Sequence, residues 1–233
     1  MREGVHPQAC MAARALRTGR AWVTDHFMTK HLEFYYDFGS PNVYLAYKAL
    51  SAADGVTLEL KPALIGGLFK AANNQPPWQA FGQVPTKMQY MQREIARFTE
   101  MYGLDAFRFN PHFPVMTILP MRVAMVALDE GTHDAFFGPT LRAMWEDGLD
   151  IAKRDVLAGV LDEAGLDGTA MVARTQEPAI KEALKTATAE ASARGIFGLP
   201  TWFDTTPADG GEPQMYFGKD CCWMMGAAPV HMP

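Results

Sequence analysis

The side chain best placed for chemistry in this sequence is Ser40, at the point where an apolar, aromatic run turns into a helix. Gly39 breaks that run. Ser40 stands where an N-cap belongs and Pro41 where the first helical residue belongs, with Val43, Tyr44, Ala46 and Tyr47 continuing behind them. A strand that turns sharply into a helix places unpaired N–H groups and the positive end of the helix dipole at the edge of a sheet. That is a site for an anion, a thiolate included, and Ser40 stands at its mouth. The plainer reading is that Ser40 only caps the helix, its hydroxyl bonded to the backbone at Asn42 or Val43.

The other reactive side chains suggest less. Three cysteines, two of them adjacent at Cys221 and Cys222, form neither a disulfide framework nor a metal-ligand spacing. The vicinal pair is expected to be unreactive, because no basic cluster besides Lys219 would lower its pKa. The six histidines are scattered, so no zinc site is expected. A net charge of −5 with no basic stripe argues against a nucleic-acid partner. No apolar run reaches the ~20 residues a membrane-spanning helix needs. A reducing, cytoplasmic setting is the simplest expectation.

The elements that must position Ser40 follow from periodicity. Leu32 to Phe38 is a strand by length and composition, and the helix begun at Pro41 is ended by Gly55. Val56, Leu58 and Leu60 alternate with Thr57, Glu59 and Lys61, a strand with one buried face closed by Pro62. Ala63 to Ala72 is a short apolar loop or helix, and Asn73 to Pro77 a loop. From Pro85 the period is helical. One face carries Met88, Met91, Ile95, Phe98 and Tyr102, and Asn110 to Pro120 is a connection. Four more helices carry Met121 to Leu128, Phe137 to Trp145, Val156 to Leu161, and Ile180 to Ala191. Their methionines are expected to be core filling. Thr201 to Asp204 and Gln214 to Phe217 then flank a turn at Thr206 to Pro213, a hairpin, and a helix or a fragment of one follows. Two β-containing ends most economically share one sheet. Residues 1 to about 30, with Arg2, Arg14, Arg17 and Arg20, are expected to be a disordered extension. A transit peptide or a true start at Met28 are the alternatives.

This plan is a thioredoxin-like α/β fold interrupted by a helical domain, with residues 31–84 and 196–233 forming the first and 85–195 the second. FYYDFGSPNVYLA, NNQPP, KMQYM (from Lys87), GIFGLPTWF and FGKD resemble, in order and spacing, the bacterial 2-hydroxychromene-2-carboxylate isomerases and the related kappa-class glutathione transferases. The resemblance covers roughly Leu32 to Met225.

It implies that Ser40 replaces the nucleophilic cysteine of disulfide oxidoreductases and holds the sulfur of glutathione as a thiolate. Val43 is not a cysteine, so CxxC redox chemistry is absent. The resemblance also implies a cis bond at Leu199-Pro200, with Leu199 offering its backbone to the cysteinyl part of glutathione. It further implies that Asn74 touches the tripeptide, that Lys87 lies near the glycyl carboxylate, and that Lys219 and Asp220 receive the γ-glutamyl end. Cys221-Cys222 depart from the Arg-Leu common in the family, and Met116 from a position often polar.

The implied activity is a glutathione-dependent isomerisation of 2-hydroxychromene-2-carboxylate or a related small aromatic carboxylate, in a homodimer. Phe38, Trp78, Phe81 and Tyr90 are the candidate apolar walls of the substrate pocket, and the cation facing the substrate carboxylate is unassigned. The alternatives are a kappa-type glutathione transferase or peroxidase sharing the same site, and a non-catalytic thioredoxin-like binding module.

Overall fold

The aromatic run extends one turn of the pleat further back than its apolar residues do, as β1 (Lys30–Tyr36), and buries Leu32, Phe34, Tyr35 and Tyr36. In the computed structural model, which describes residues 29–206 and 211–230, β2 (Val56–Pro62) lies parallel to β1, Lys30 opposite Val56 and Tyr36 opposite Pro62. Parallel neighbours need a crossover, and α1 (Pro41–Ser51) supplies it. The chain returns at β3 (Thr201–Asp204), antiparallel to β1 with Trp202 opposite Phe34, and β4 (Gln214–Phe217) pairs antiparallel with β3. The sheet order is β2-β1-β3-β4, so both ends of the described chain share one sheet, as a thioredoxin-like fold requires. The interior strands β1 and β3 are largely buried, whereas edge strand β2 alternates between half-buried Val56, Leu58 and Leu60 and exposed Thr57 and Glu59.

Between β2 and β3 run α2 (Ile65–Ala71), α3 (Pro77–Ala80), α4 (Pro85–Met101), α5 (Ile118–Asp129), α6 (His133–Trp145), α7 (Arg154–Glu163), α8 (Gly168–Arg174) and α9 (Pro178–Ala193). The expected face of α6 is buried at Phe137, Leu141, Met144 and Trp145. α5 is buried on most sides, at Met121, Val123, Ala124, Val126 and Ala127, because α6, α8 and α9 all pack on it. α9 also packs on α2 and β2. The face of α4 is the least covered: only Phe98 is buried, with Met88, Met91 and Ile95 half-exposed.

Two elements differ from the periodic reading. α8 lies in a stretch too short for a period to register, with only Met171 and Val172 as sizeable side chains to bury. Its start was nevertheless marked by Asp167, whose carboxylate accepts from the Ala170 N–H at 2.9 Å. The last element is a single 3₁₀ stretch, Lys219–Met225, packed on α1 and stopped by Gly226 at φ 92°. The extension expected over residues 1 to about 30 lies outside the described residues, apart from Thr29 and Lys30. Among the described residues no helix is long and apolar enough to cross a membrane.

Phe38 is a correction. It is completely buried, its ring against those of Tyr36, Phe136 and Phe137, and so is core rather than pocket wall. The same cluster encloses a polar pair, Tyr36 Oη 2.7 Å from His133 Nε2. Burial holds the His133 pKa down and pushes that of Tyr36 well up, favouring the neutral form of both side chains.

Candidate active site

Ser40 does begin α1: its backbone is extended and its carbonyl accepts from the Val43 N–H at 3.0 Å. Its hydroxyl, however, makes no cap bond. Ser40 Oγ donates instead to the carbonyl of Leu199 at 3.0 Å, across 159 residues of sequence. The turn ahead of the helix is held by another side chain. Asp37 Oδ1 accepts from the Gly39 N–H at 2.8 Å, the Asp37 carbonyl accepts from the Ser40 N–H, and Asp37 Oδ2 accepts from Ile65 N–H at 2.8 Å. With the turn closed by Asp37, the serine hydroxyl is released for a tertiary partner.

Asp37 is completely buried. Burial pushes its carboxyl up from the ordinary aspartate value, against hydrogen bonds from Thr117, Gly39 and Ile65 that hold it down. Gly39 is needed for this packing, since a Cβ there would meet the Thr117 methyl at 3.3 Å and Asp37 Oδ1 at 3.4 Å. The helical block is bonded to the same turn by Trp145, whose indole N–H donates to the Phe38 carbonyl at 2.9 Å. Asp37, Thr117 and Trp145 were not singled out in the sequence. The only local signal was an acidic residue at the end of an aromatic run.

The Leu199–Pro200 bond is cis, as is Phe113–Pro114. The Pro200 carbonyl accepts from the Gly218 N–H at 3.0 Å, joining this loop to the start of the 3₁₀ stretch. Asn74, just beyond α2, donates from Nδ2 to the Phe197 carbonyl at 3.1 Å. Ser40, Leu199, Pro200 and Asn74 are therefore linked through one loop, 197–200. Gly198 within it is closely covered, a Cβ meeting the Phe217 ring at 3.1 Å.

The remaining candidates are placed differently. Lys87, in the first turn of α4, sets its ammonium 3.2 Å from the centroid of the Phe81 ring, and no side-chain bond among the described residues joins it to Ser40, Leu199 or Asn74. Lys219 is 2 % exposed and its ammonium points inward, to Glu94 of α4 and to Asp220 Oδ1 at 2.7 Å, above the Phe98 ring. Asp220 itself is 70 % exposed. Trp78 and Tyr90 are exposed and Phe81 half-buried, with Trp78 edge-on to Phe113 at 4.9 Å.

Cys222 is buried, its Sγ 3.9 Å from the Ala46 carbonyl, and burial pushes its thiol up to about 12, which makes it inert. Among the described residues no three His, Cys, Asp or Glu side chains group as metal ligands. Ser40 and Leu199 are both buried, and the arrangement sets a hydroxyl donor beside a helix N-terminus, against the backbone ahead of a cis-proline.

Known proteins share this arrangement of elements. The chain is 28% identical over 196 residues to a 2-hydroxychromene-2-carboxylate isomerase of Sphingobium xenophagum, covering 83% of this chain and 94% of that protein. It is 27% identical over 201 residues to glutathione S-transferase kappa 1 of Rattus norvegicus, covering 81% and 86%. A solved structure of a 2-hydroxychromene-2-carboxylate isomerase superposes with a TM-score of 0.71 at 23% identity, over 84% of this chain and 92% of that one. The DSBA-like thioredoxin domain matches from residue 31 to residue 225, and the chain belongs to that family.

Proposed function

We propose that this chain is a glutathione-dependent isomerase acting on 2-hydroxychromene-2-carboxylate or a related aromatic-catabolism intermediate. The observation that carries the reading is Ser40, in place of a redox cysteine at the helix start, bonded to the residue before a cis-proline. The named relatives, isomerases and kappa-class transferases, support it.

The residues fit a thiol tripeptide. The Leu199 backbone is an edge to which an extended peptide can add as a strand would, and Asn74 stands beside it. Asp220 offers an exposed carboxylate for an ammonium group, and Lys87 a cation for a carboxylate. When bound, glutathione would supply a nucleophilic thiolate for reversible addition to the activated ring alkene; opening of the hemiketal ring would then free the former double bond to rotate, and elimination would return the thiol.

What the chain contributes is orientation and stabilisation of negative charge. The Ser40 hydroxyl carries one proton, held by the Leu199 carbonyl. A ligand N–H taking up that carbonyl leaves the hydroxyl free to donate to sulfur, a charge-assisted bond. The N-terminus of α1 adds its dipole, which lowers a thiol pKa from about 8.5 towards neutrality. Trp78, Phe81 and Tyr90 supply apolar surface for the aromatic substrate. We further propose that the protein acts in the cytoplasm as a homodimer, for which the incompletely covered apolar face of α4 is the available surface.

The relatedness to rat glutathione S-transferase kappa 1 keeps transfer as the second reading. Incubation with glutathione and either the chromene acid or a chloronitroarene separates the two. Isomerisation that requires glutathione without consuming it is expected. A dominant stoichiometric conjugate would overturn the proposal in favour of a transferase. No turnover together with no glutathione binding in calorimetry would leave a non-catalytic binding module.

A further inference from the structure

A groove lies outside the residues grouped around Ser40. α2, α5 and α9 enclose a groove of about 470 Å³, a size within the roughly 300–1,000 Å³ of small-molecule sites. It exists because the facing residues are short. Gly67 lets the helices approach until a Cβ there would meet the Thr188 methyl at 2.8 Å, and Ala71 and Ala189 leave the space above unfilled. Leu64, Ile118 and Leu184 make apolar walls. The polar floor is already satisfied, Thr188 Oγ1 accepting from the Leu64 N–H at 3.0 Å and donating to the Leu184 carbonyl at 2.7 Å.

The charges at this groove do not balance. Glu182 and Lys185 neutralise each other at 3.1 Å. Arg122 and Lys181 are both half-buried, and neither side chain has an ion-pair or hydrogen-bond partner among the described residues. Three arginines elsewhere in the fold have carboxylate partners: Arg174 meets Asp129, Glu130 and Glu177, Arg194 meets Glu33, and Arg142 meets Asp147. A partly desolvated guanidinium without an anion, beside an apolar trench, fits a ligand that carries one carboxylate on an apolar body.

We propose that this groove binds an aromatic monocarboxylate, its rings over Gly67, Ala71 and Ala189 and its carboxylate on Arg122, with Lys181 adding charge. The site is separate from the one assigned to glutathione and does not depend on that assignment.

The probe is 1-naphthoate, titrated calorimetrically against the full chain, with the neutral 1-naphthalenemethanol as control. Saturable naphthoate binding is expected, weakened about tenfold or more in Arg122→Gln, as loss of a hydrogen bond between charged groups implies. Arg122→Lys should restore part of it. Ala71→Leu, which fills the trench, should weaken acid and alcohol alike, whereas Arg122→Gln should leave the alcohol unchanged. The Arg122 side chain has no ion-pair or hydrogen-bond partner among the described residues, so its replacement should leave the thermal midpoint in place. Absent binding to the unaltered chain, equal naphthoate affinity in Arg122→Gln, or displacement of naphthoate by saturating glutathione would each overturn the proposal.

Discussion

Ser40 Oγ donates to the Leu199 carbonyl at 3.0 Å, so the hydroxyl at the start of α1 is bonded to the residue before the cis-proline rather than to its own helix. That geometry separates two roles a capping serine would merge. Ser40→Ala removes no cap bond, and the turn stays closed through Asp37. Turnover should fall by about 10- to 100-fold, the worth of one hydrogen bond to a charged group. Glutathione affinity should change much less, because the contacts proposed for the tripeptide are assigned to other residues. Steady-state kinetics beside calorimetric titration would show the split. Unchanged turnover would remove Ser40 from the mechanism.

Asp37 should be important chiefly for stability. Asp37→Ala orphans the Gly39 and Ile65 N–H groups, at roughly 1–3 kcal/mol for each buried unsatisfied donor. Asp37→Asn retains one acceptor and should cost less. The pH dependence has a definite sign. The folded pKa is raised above 3.8, so the folded chain holds the proton more tightly than the unfolded chain does. The aspartate's contribution is complete below pH 3.8 and is lost as pH rises through the folded value. Urea denaturation should therefore find Asp37→Asn closer to the parent protein at pH 7 than in acid.

The Tyr36–His133 pair gives the opposite dependence. Burial depresses the folded His133 pKa below 6.5, so on acidification the unfolded chain takes up the proton first. Stability is complete above pH 6.5 and falls as pH drops through the window between 6.5 and the folded value. Replacing the imidazole by an amide in His133→Gln should flatten that part of the stability profile. If chemical denaturation gives parallel curves for the two proteins from pH 5 to 8, the buried imidazole is not the titrating group.

The parts of this architecture that were legible in the sequence are those set by local pattern. Alternation at Val56–Lys61, the Gly39-Ser40-Pro41 break and the paired strands Thr201–Asp204 and Gln214–Phe217 each report their own backbone. The cis bond at Leu199–Pro200 came from resemblance, since no local property separates it from a trans one. What was not legible depends on distant contacts. Phe38 reads as a candidate wall of the substrate pocket until α6 is laid over it. Asp37 reads only as an acidic residue at the end of an aromatic run until Ile65 and Thr117 are brought against it. Lys219 follows a glycine and precedes an aspartate, a solvated context by sequence, yet Glu94 reaches it from 125 residues away.

Lys219 and Asp220 should consequently part company on mutation. The Lys219 ammonium is buried between Glu94 and Asp220, where it joins α4 to the 3₁₀ stretch after β4. Lys219→Met keeps an unbranched side chain one atom shorter and frees Glu94, about one-third exposed, to be rehydrated. The loss in stability should stay near 1 kcal/mol, because replacing a buried ion pair with an apolar side chain is often close to neutral. Glu94→Ala should cost more, roughly 1–3 kcal/mol. It leaves a buried ammonium with only the exposed Asp220 as partner, short of the ~3–5 kcal/mol for a fully broken buried pair. Glutathione affinity should be governed by the other member. Asp220→Ala removes the exposed carboxylate assigned to the ligand's ammonium and should weaken binding about tenfold or more. Lys219→Met should change it by less, about threefold, since the ammonium faces Glu94 and Asp220 and would act on a ligand only through the placement of Asp220. Calorimetry on the two variants, each checked by urea denaturation, decides the matter: a Lys219→Met protein that is stable but no longer binds glutathione would make the lysine a ligand contact after all.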